Sequence, residues 1–245
     1  MYFSTNPMLA TSYFNTVFAR NRYEEILRYF HLADNSQCMK EDQTSKFGNI
    51  LNLMMRNFKK NASPGRNLCL DESLVKYSGR LSIKQFIRTK RSRFGVKVFV
   101  LSDSTNNYIL DTLIYQGTTT KLTADKNKFG VGGAVVLTLM EHYLMTWRTL
   151  YVDNWFTSVM LAYELLNLET NMCGTTRRNR KHLPSFSSGP NKLRKGDYES
   201  FFAENILCER WQDRREVIMI NTLFPPGLVE TNNSHGKTEK NPPAL

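Results

Sequence analysis

The sequence lacks paired cysteines. Its four, Cys38, Cys69, Cys173 and Cys208, stand far apart and form no C-x-x-C. That spacing excludes a zinc ribbon or finger and suits a reducing compartment. A long apolar run is missing too, since nothing approaches the roughly 20 residues that span a bilayer. The start, "MYFSTNPMLATSYF", has neither the basic opening nor the clean apolar centre of a secretory signal. No membrane partner is therefore expected. Acids are scarce: 22 Asp and Glu stand against 33 Lys and Arg, a formal charge of +11. An excess of this size points to a polyanionic partner, nucleic acid first and an acidic membrane surface second.

Hydrophobic residues are plentiful, at 41% with 15 Phe and 11 Tyr. That is enough to bury a core and argues against disorder. At 245 residues the chain holds one large domain or two small ones.

Periodicity predicts a helix over Asn21 to Leu32, with Tyr23, Ile26, Leu27 and Phe30 on one face, and Asn21 and Glu24 as a capping box. A second helix is expected over Phe47 to Phe58, burying Ile50, Leu51, Met54, Met55 and Phe58. After the turn "ASPGRN" the period shortens. "LCLDESLVKY" and "GVKVFVLSD" read as strands, and Asn106-Asn107 as a hairpin turn into "YILDTLIYQG". Then come a helix in "GGAVVLTLMEHYL", a strand in "RTLYVD", a helix in "TSVMLAYELLNLE" capped by Thr157 or Ser158, and a strand in "NMCGTT". The order β-β-β-α-β-α-β describes an α/β fold with a mixed sheet flanked by helices, the order of ribonuclease-H-like nucleases and transposases. The expected organisation is a helical part over 1–62, the core over 63–176, a basic insertion and a strand over 177–224, and a disordered tail over 225–245.

Asp71 falls on the first strand and Asp153 at the end of the fourth, strands expected to be neighbours. Two carboxylates so placed suit a hard divalent cation. An Asp after a strand also commonly caps the next turn or helix, and the pattern alone leaves both readings open. Asp103, Asp111 and Asp125 read as turn or surface residues, and His31 as packed or solvated; Glu72 is either a second acid near the site or an outward-facing strand residue, the latter being favoured.

Two stretches are basic and free of acids. The first holds Lys84, Arg88, Lys90, Arg91, Arg93 and Lys97, with Phe86, Ile87 and Phe94 interleaved. The second, from Arg177 to Lys195, holds seven Lys or Arg, among them Arg177, Arg178, Arg180 and Lys181. Such density neutralises phosphates with little sequence readout. A solvated face, or a nuclear-import signal in "KRSR" or "RRNRK", is the plainer reading.

The stretches "RNRYEEILRYFHLADN", "PGRNLCLDESLVKYSGRLSIKQFIRTKRSRFGVKVFVLSDS", "YVDNWFTS", "GTTRRNRKHLP" and "WQDRREVIMINT" occur in this order. Together they resemble the transposase domain of the piggyBac superfamily. The resemblance implies a ribonuclease-H-like core with a metal-binding acidic triad, cutting transposon ends and joining them to TTAA targets. It implies Asp71 and Asp153 as the first two catalytic and metal-binding aspartates, Mg²⁺ or Mn²⁺ as cofactor, DNA as partner and the nucleus as location. Monomer and homodimer are not distinguished. The third family aspartate, in a motif resembling Y-N-x-x-M-G-G-V-D, does not occur in these residues, nor do the family's C-terminal helices and cysteine-rich tail. The expectation is therefore a truncated, transposon-derived DNA-binding protein without transposase activity. Two alternatives remain: an active metal-dependent nuclease in which another acid such as Glu230 substitutes, and a non-enzymatic chromatin-associated protein.

Overall fold

The computed structural model describes residues 2–34, 36–39, 42–88, 90, 93–186, 193–227, 229–232 and 238–241. The chain divides into two units, Met1–Met54 and Met55–Leu245. The first carries α1 (Ser12–Val17), α2 (Arg20–Tyr29) and the opening of α3 (Gly48–Asn61). Helix α2 begins without a capping box: Ala19 is its N-cap and has no side chain to accept, so Asn21 lies inside the first turn. Tyr23 packs against Phe3, ring centroids 5.4 Å apart, whereas Leu27 and Phe30 are exposed. Of the α3 stripe expected to be buried, Leu51, Met55 and Phe58 are half-buried, and Ile50 and Met54 are exposed. The boundary between units falls inside α3 rather than near residue 62.

The second unit is built on a nine-stranded mixed sheet. Its strands are β1 (Asn67–Lys76), β2 (Lys84–Phe86), β3 (Phe94–Asp103), β4 (Ile109–Ile114), β5 (Thr149–Val152), β6 (Asn171–Thr176), β7 (Tyr198–Ala203), β8 (Ile206–Gln212) and β9 (Glu216–Asn221). They lie in the order β2-β3-β1-β5-β6-β9-β8-β7, with β4 also paired to β3. Strand β1 is antiparallel to β3 and parallel to β5, and β5 is parallel to β6. Apart from the short extra strand β2, the lead-in strands, crossover helices and parallel strands follow the expected order. The β3–β4 turn uses Asn107 at φ 59°, a left-handed position that Asn tolerates.

Helices α4 (Lys126–Met140) and α5 (Val159–Asn167) pack on this sheet. Leu68, Leu70, Leu101, Val135, Leu150, Leu161 and Leu165 form one core at 0% exposure. Each such side chain contributes about 1.5–3 kcal/mol by leaving water. Helix α4 starts earlier than expected, at the Asp125 cap, and is broken at Gly130 (φ 69°, ψ 171°), a conformation open to glycine. Ser158, and not Thr157, caps α5 by accepting from the Leu161 N–H at 3.2 Å. Gly174 on β6 is required by close approach, since a Cβ there would run into Thr157 Oγ1 and the Val152 carbonyl. The C-terminal turns of α3 are tied to β4 by a Lys59–Asp111 ion pair at 2.6 Å, so Asp111 is a strand residue with a partner.

Two expectations are corrected. The strand expected within residues 177–224 is β9, but the part expected as a basic insertion also carries β7 and β8, which extend the main sheet. Strand β8 hides from a periodicity reading because Glu209 and Arg210 are buried in it; Arg210 pairs with Glu199 and Glu216, each at 2.7 Å. The tail, expected to be without structure, carries a two-stranded hairpin, β10 (Val229–Asn232) with β11 (Thr238–Asn241). Its bonds link neighbours in sequence and need no apolar period.

Candidate metal centre and its surroundings

Asp71 and Asp153 meet because β1 and β5 run parallel in a fixed register. Leu68 sits beside Leu150 and Leu70 beside Val152, and the next position on each strand is an aspartate. Strand β5 ends at Val152 while β1 continues to Lys76. Glu72, one step further and on the opposite face, therefore has no β5 neighbour to block it. Its carboxylate joins the other two: one ligand oxygen from each of Asp71, Glu72 and Asp153 lies within 4.8 Å of the others. The reading of Glu72 as outward-facing is thus corrected, the reason being that the ladder stops before it.

The carboxylates are held before any cation arrives. Asp71 Oδ1 accepts from the Glu72 N–H at 2.7 Å, and Asp153 Oδ1 from the Trp155 N–H at 2.9 Å. The Asp153 carbonyl accepts from the Phe156 and Thr157 N–H groups and from Thr157 Oγ1 at 2.8 Å. Glu72 pairs with Lys90 at 3.5 Å. An all-oxygen donor set suits Mg²⁺ or Mn²⁺, whose bonds of about 2.0–2.2 Å put neighbouring ligands ~3 Å apart. Asp71 and Asp153 each keep a carboxylate oxygen outside these backbone bonds.

Lys97 stands beside this cluster. Its ammonium lies over three rings, at 4.5 Å from the centroid of Trp155, 4.8 Å from Phe99 and 5.9 Å from Tyr115. Burial pushes its pKa down, and Glu72 and Asp153 oppose that shift. Behind Asp153 the turn is gripped by arginines. Arg180 Nη2 donates to the Asn154 and Trp155 carbonyls at 2.9 and 2.6 Å, and Arg177 Nε to Asn154 Oδ1 at 3.0 Å. Both line a cleft of about 440 Å³ with Trp155, Ser158 and the break at Gly130.

The basic residues fall into two groups. Arg88, Arg93, Arg177, Arg178 and Lys181 are exposed. Lys84, Lys90, Lys97 and Arg180 are half-buried and engaged, Lys84 by donating to the Gly79 carbonyl at 2.9 Å. Arg178 also pairs with Glu216 at 3.0 Å. Arg91 lies outside the described residues. The first basic stretch is a hairpin of β2 and β3, with Arg88 and Arg93 near its tip. Sequence reasoning ranks Glu72 as a second acid below the outward-facing reading and misses the ring contacts of Lys97; "DES" and "DNWF" are the local signals. His31 is exposed, its Nδ1 2.6 Å from the Tyr29 carbonyl. Glu230 sits on β10, outside the main sheet. No helix among the described residues is long and apolar enough to cross a membrane.

A mixed sheet that leads with antiparallel strands and gathers acids at the middle of β1 and just past the end of β5 defines a ribonuclease-H-like core. The chain belongs to the piggyBac-type transposases, within the family whose model is described as Transposase IS4 and matches residues 1–245. It is 30% identical over 210 residues to human PiggyBac transposable element-derived protein 3, covering 83% of this chain and 35% of that protein. It is 27% identical over 248 residues to human PiggyBac transposable element-derived protein 2, covering 98% and 41%. The fold matches a piggyBac transposase solved by cryo-EM as a synaptic complex with hairpin DNA, with a TM-score of 0.82, 24% identity, and 95% and 49% of the two chains covered. The chain thus spans between about a third and a half of these relatives' length.

Proposed function

We propose that this segment is the DNA-binding, ribonuclease-H-like core of a nuclear, piggyBac transposable element-derived protein, with a divalent-ion seat at Asp71 and Asp153. The convergence of their carboxylates with Glu72, within 4.8 Å, carries the reading. Asp71, Asp153 and Glu72 would hold the divalent metal, Mg²⁺ or Mn²⁺, which would supply charge stabilisation for phosphodiester cleavage. The residues of this chain orient the carboxylates and offer Arg88, Arg93 and Lys181 to the DNA backbone. Transposon ends and TTAA duplexes are the substrates to test, because the solved relative is a transposase complex with hairpin DNA.

The 245 residues by themselves lack the Y-N-x-x-M-G-G-V-D aspartate, so they bind DNA without cutting it. Without a third family acid, the residues present would stabilise the transition state less, at a cost on the order of a thousandfold in rate. One observation favours a second reading, a working nuclease: Glu72 already stands with the two aspartates. The purified chain, incubated with Mg²⁺ or Mn²⁺ and DNA bearing transposon ends, is expected to shift the DNA and leave it unnicked. Nicking that disappears in both Asp153→Ala and Glu72→Gln would replace the first reading with the second. Failure to bind either DNA would remove both.

A further inference from the structure

Among the described basic residues of the first stretch, Lys97 is the one that three aromatic rings surround, at 4.5–5.9 Å. The rings belong to the acidic site. Trp155 donates its N–H to Asp153, and Phe99 is the register partner of Glu72. Lys97 is the partner of Leu74, two residues beyond Glu72, so backbone geometry puts it on the Glu72 side of the sheet. The other nearby cation, Lys90, differs: it meets Glu72 at 3.5 Å from the hairpin with a side chain 41% exposed, and such a pair is readily given up to solvent. Lys97 is half-buried, and a boxed ammonium gains from each ring face. One fixed positive charge offsets one of the three carboxylates. The charge that remains matches a single divalent ion, not a pair.

Building on the metal reading above, we propose that Lys97 is a positioning residue of this centre, a fixed internal cation that limits the DNA-free site to one divalent ion. The second ion is admitted when a DNA phosphate adds its negative charge. The aromatic box keeps the ammonium near the carboxylates without letting it occupy the ion's place, and Arg is the only other residue able to supply a permanent charge on a long stem.

The test is a Mn²⁺ titration of the 245-residue chain, read by the electron paramagnetic resonance signal of free Mn²⁺ at fixed neutral pH. Wild type is expected to take one equivalent without DNA and two with a short duplex. Lys97→Met and Lys97→Gln should take the second equivalent without DNA and hold the first on the order of tenfold more tightly. Lys97→Arg should behave as wild type. Folded Lys97→Met or Lys97→Gln protein with wild-type stoichiometry and affinity would overturn the proposal. So would two equivalents in DNA-free wild type, or one that DNA does not raise, whatever the variants do. Wild type that binds no more Mn²⁺ than Asp153→Ala would overturn the metal reading itself.

Discussion

Arg180 and Trp155 are joined by a 2.6 Å bond from Nη2 to the backbone carbonyl, and the same nitrogen reaches the Asn154 carbonyl at 2.9 Å. The bond ties the basic stretch to the turn that begins at Asp153. Arg180 therefore has structural work that a DNA contact alone would not require. Arg180→Met is expected to destabilise the fold by about 1–3 kcal/mol, through two carbonyls that lose a charged donor. Arg180→Lys should restore charge and DNA affinity better than stability, since an ammonium cannot reproduce the fork. Urea unfolding beside a DNA titration separates the two effects; equal midpoints for wild type and Met would refute the tie.

Exposure ranks the basic residues for DNA. Arg88→Glu, Arg93→Glu and Lys181→Glu should each lower the slope of log affinity against log salt by about 0.9 if that residue neutralises one phosphate. The loss should be similar for all duplex sequences. Electrophoretic shift titrations at several salt concentrations read the slope, and an unchanged slope in the triple variant would mean this surface faces solvent.

Asp103 gives a pH dependence. Its carboxylate accepts from the Gly65 N–H at 2.7 Å and the Thr105 N–H at 2.8 Å, and these bonds hold its pKa below the usual range. A folded-state pKa that is depressed adds stability above the unfolded value of about 3.9, and that stability is lost as pH falls through the folded value. Asp103→Asn should cost about 1.5–3 kcal/mol at pH 7, and the gap from wild type should close below about pH 4. Chemical unfolding across pH 3–7 checks the sign; a gap that widens on acidification would exclude this role.

Arg210 is 1% exposed and pairs with both Glu199 and Glu216. Arg210→Met takes the buried counter-charge from Glu199 and leaves Glu216 only its exposed pair with Arg178, and should cost about 3–5 kcal/mol. Replacing the two glutamates by Gln in the same chain should recover part of that loss. Thermal melts of the single and triple variants read both steps, and a triple variant no better than the single would point to lost packing as the cause.

The basic stretches show where a sequence reading stops. Charge density marked Lys97 and Arg180 together with Arg88, because a run of Lys and Arg looks alike along the chain whether its side chains face solvent or fold inward. In the structure Lys97 enters a ring box and Arg180 a turn, while Arg88 and Arg93 stay outside.

The sequence by itself determined the strands β1, β3, β4, β5 and β6, the helix α5, and the placing of Asp71 and Asp153 at strand positions. Each of these rests on local alternation, capping or turn chemistry, which a short window contains. Only the tertiary structure decided that Glu72 joins the aspartates, that Lys97 stands behind them, and that β7 and β8 widen the sheet. Glu72 turns inward because β5 ends two steps short of it, and Arg210 is buried because Glu199 and Glu216 lie on the neighbouring strands, while Glu209 accepts from Ser200 Oγ and the Gly227 N–H. Where a ladder ends, and which charges meet across it, are set by the register between distant segments, and no local period records that register.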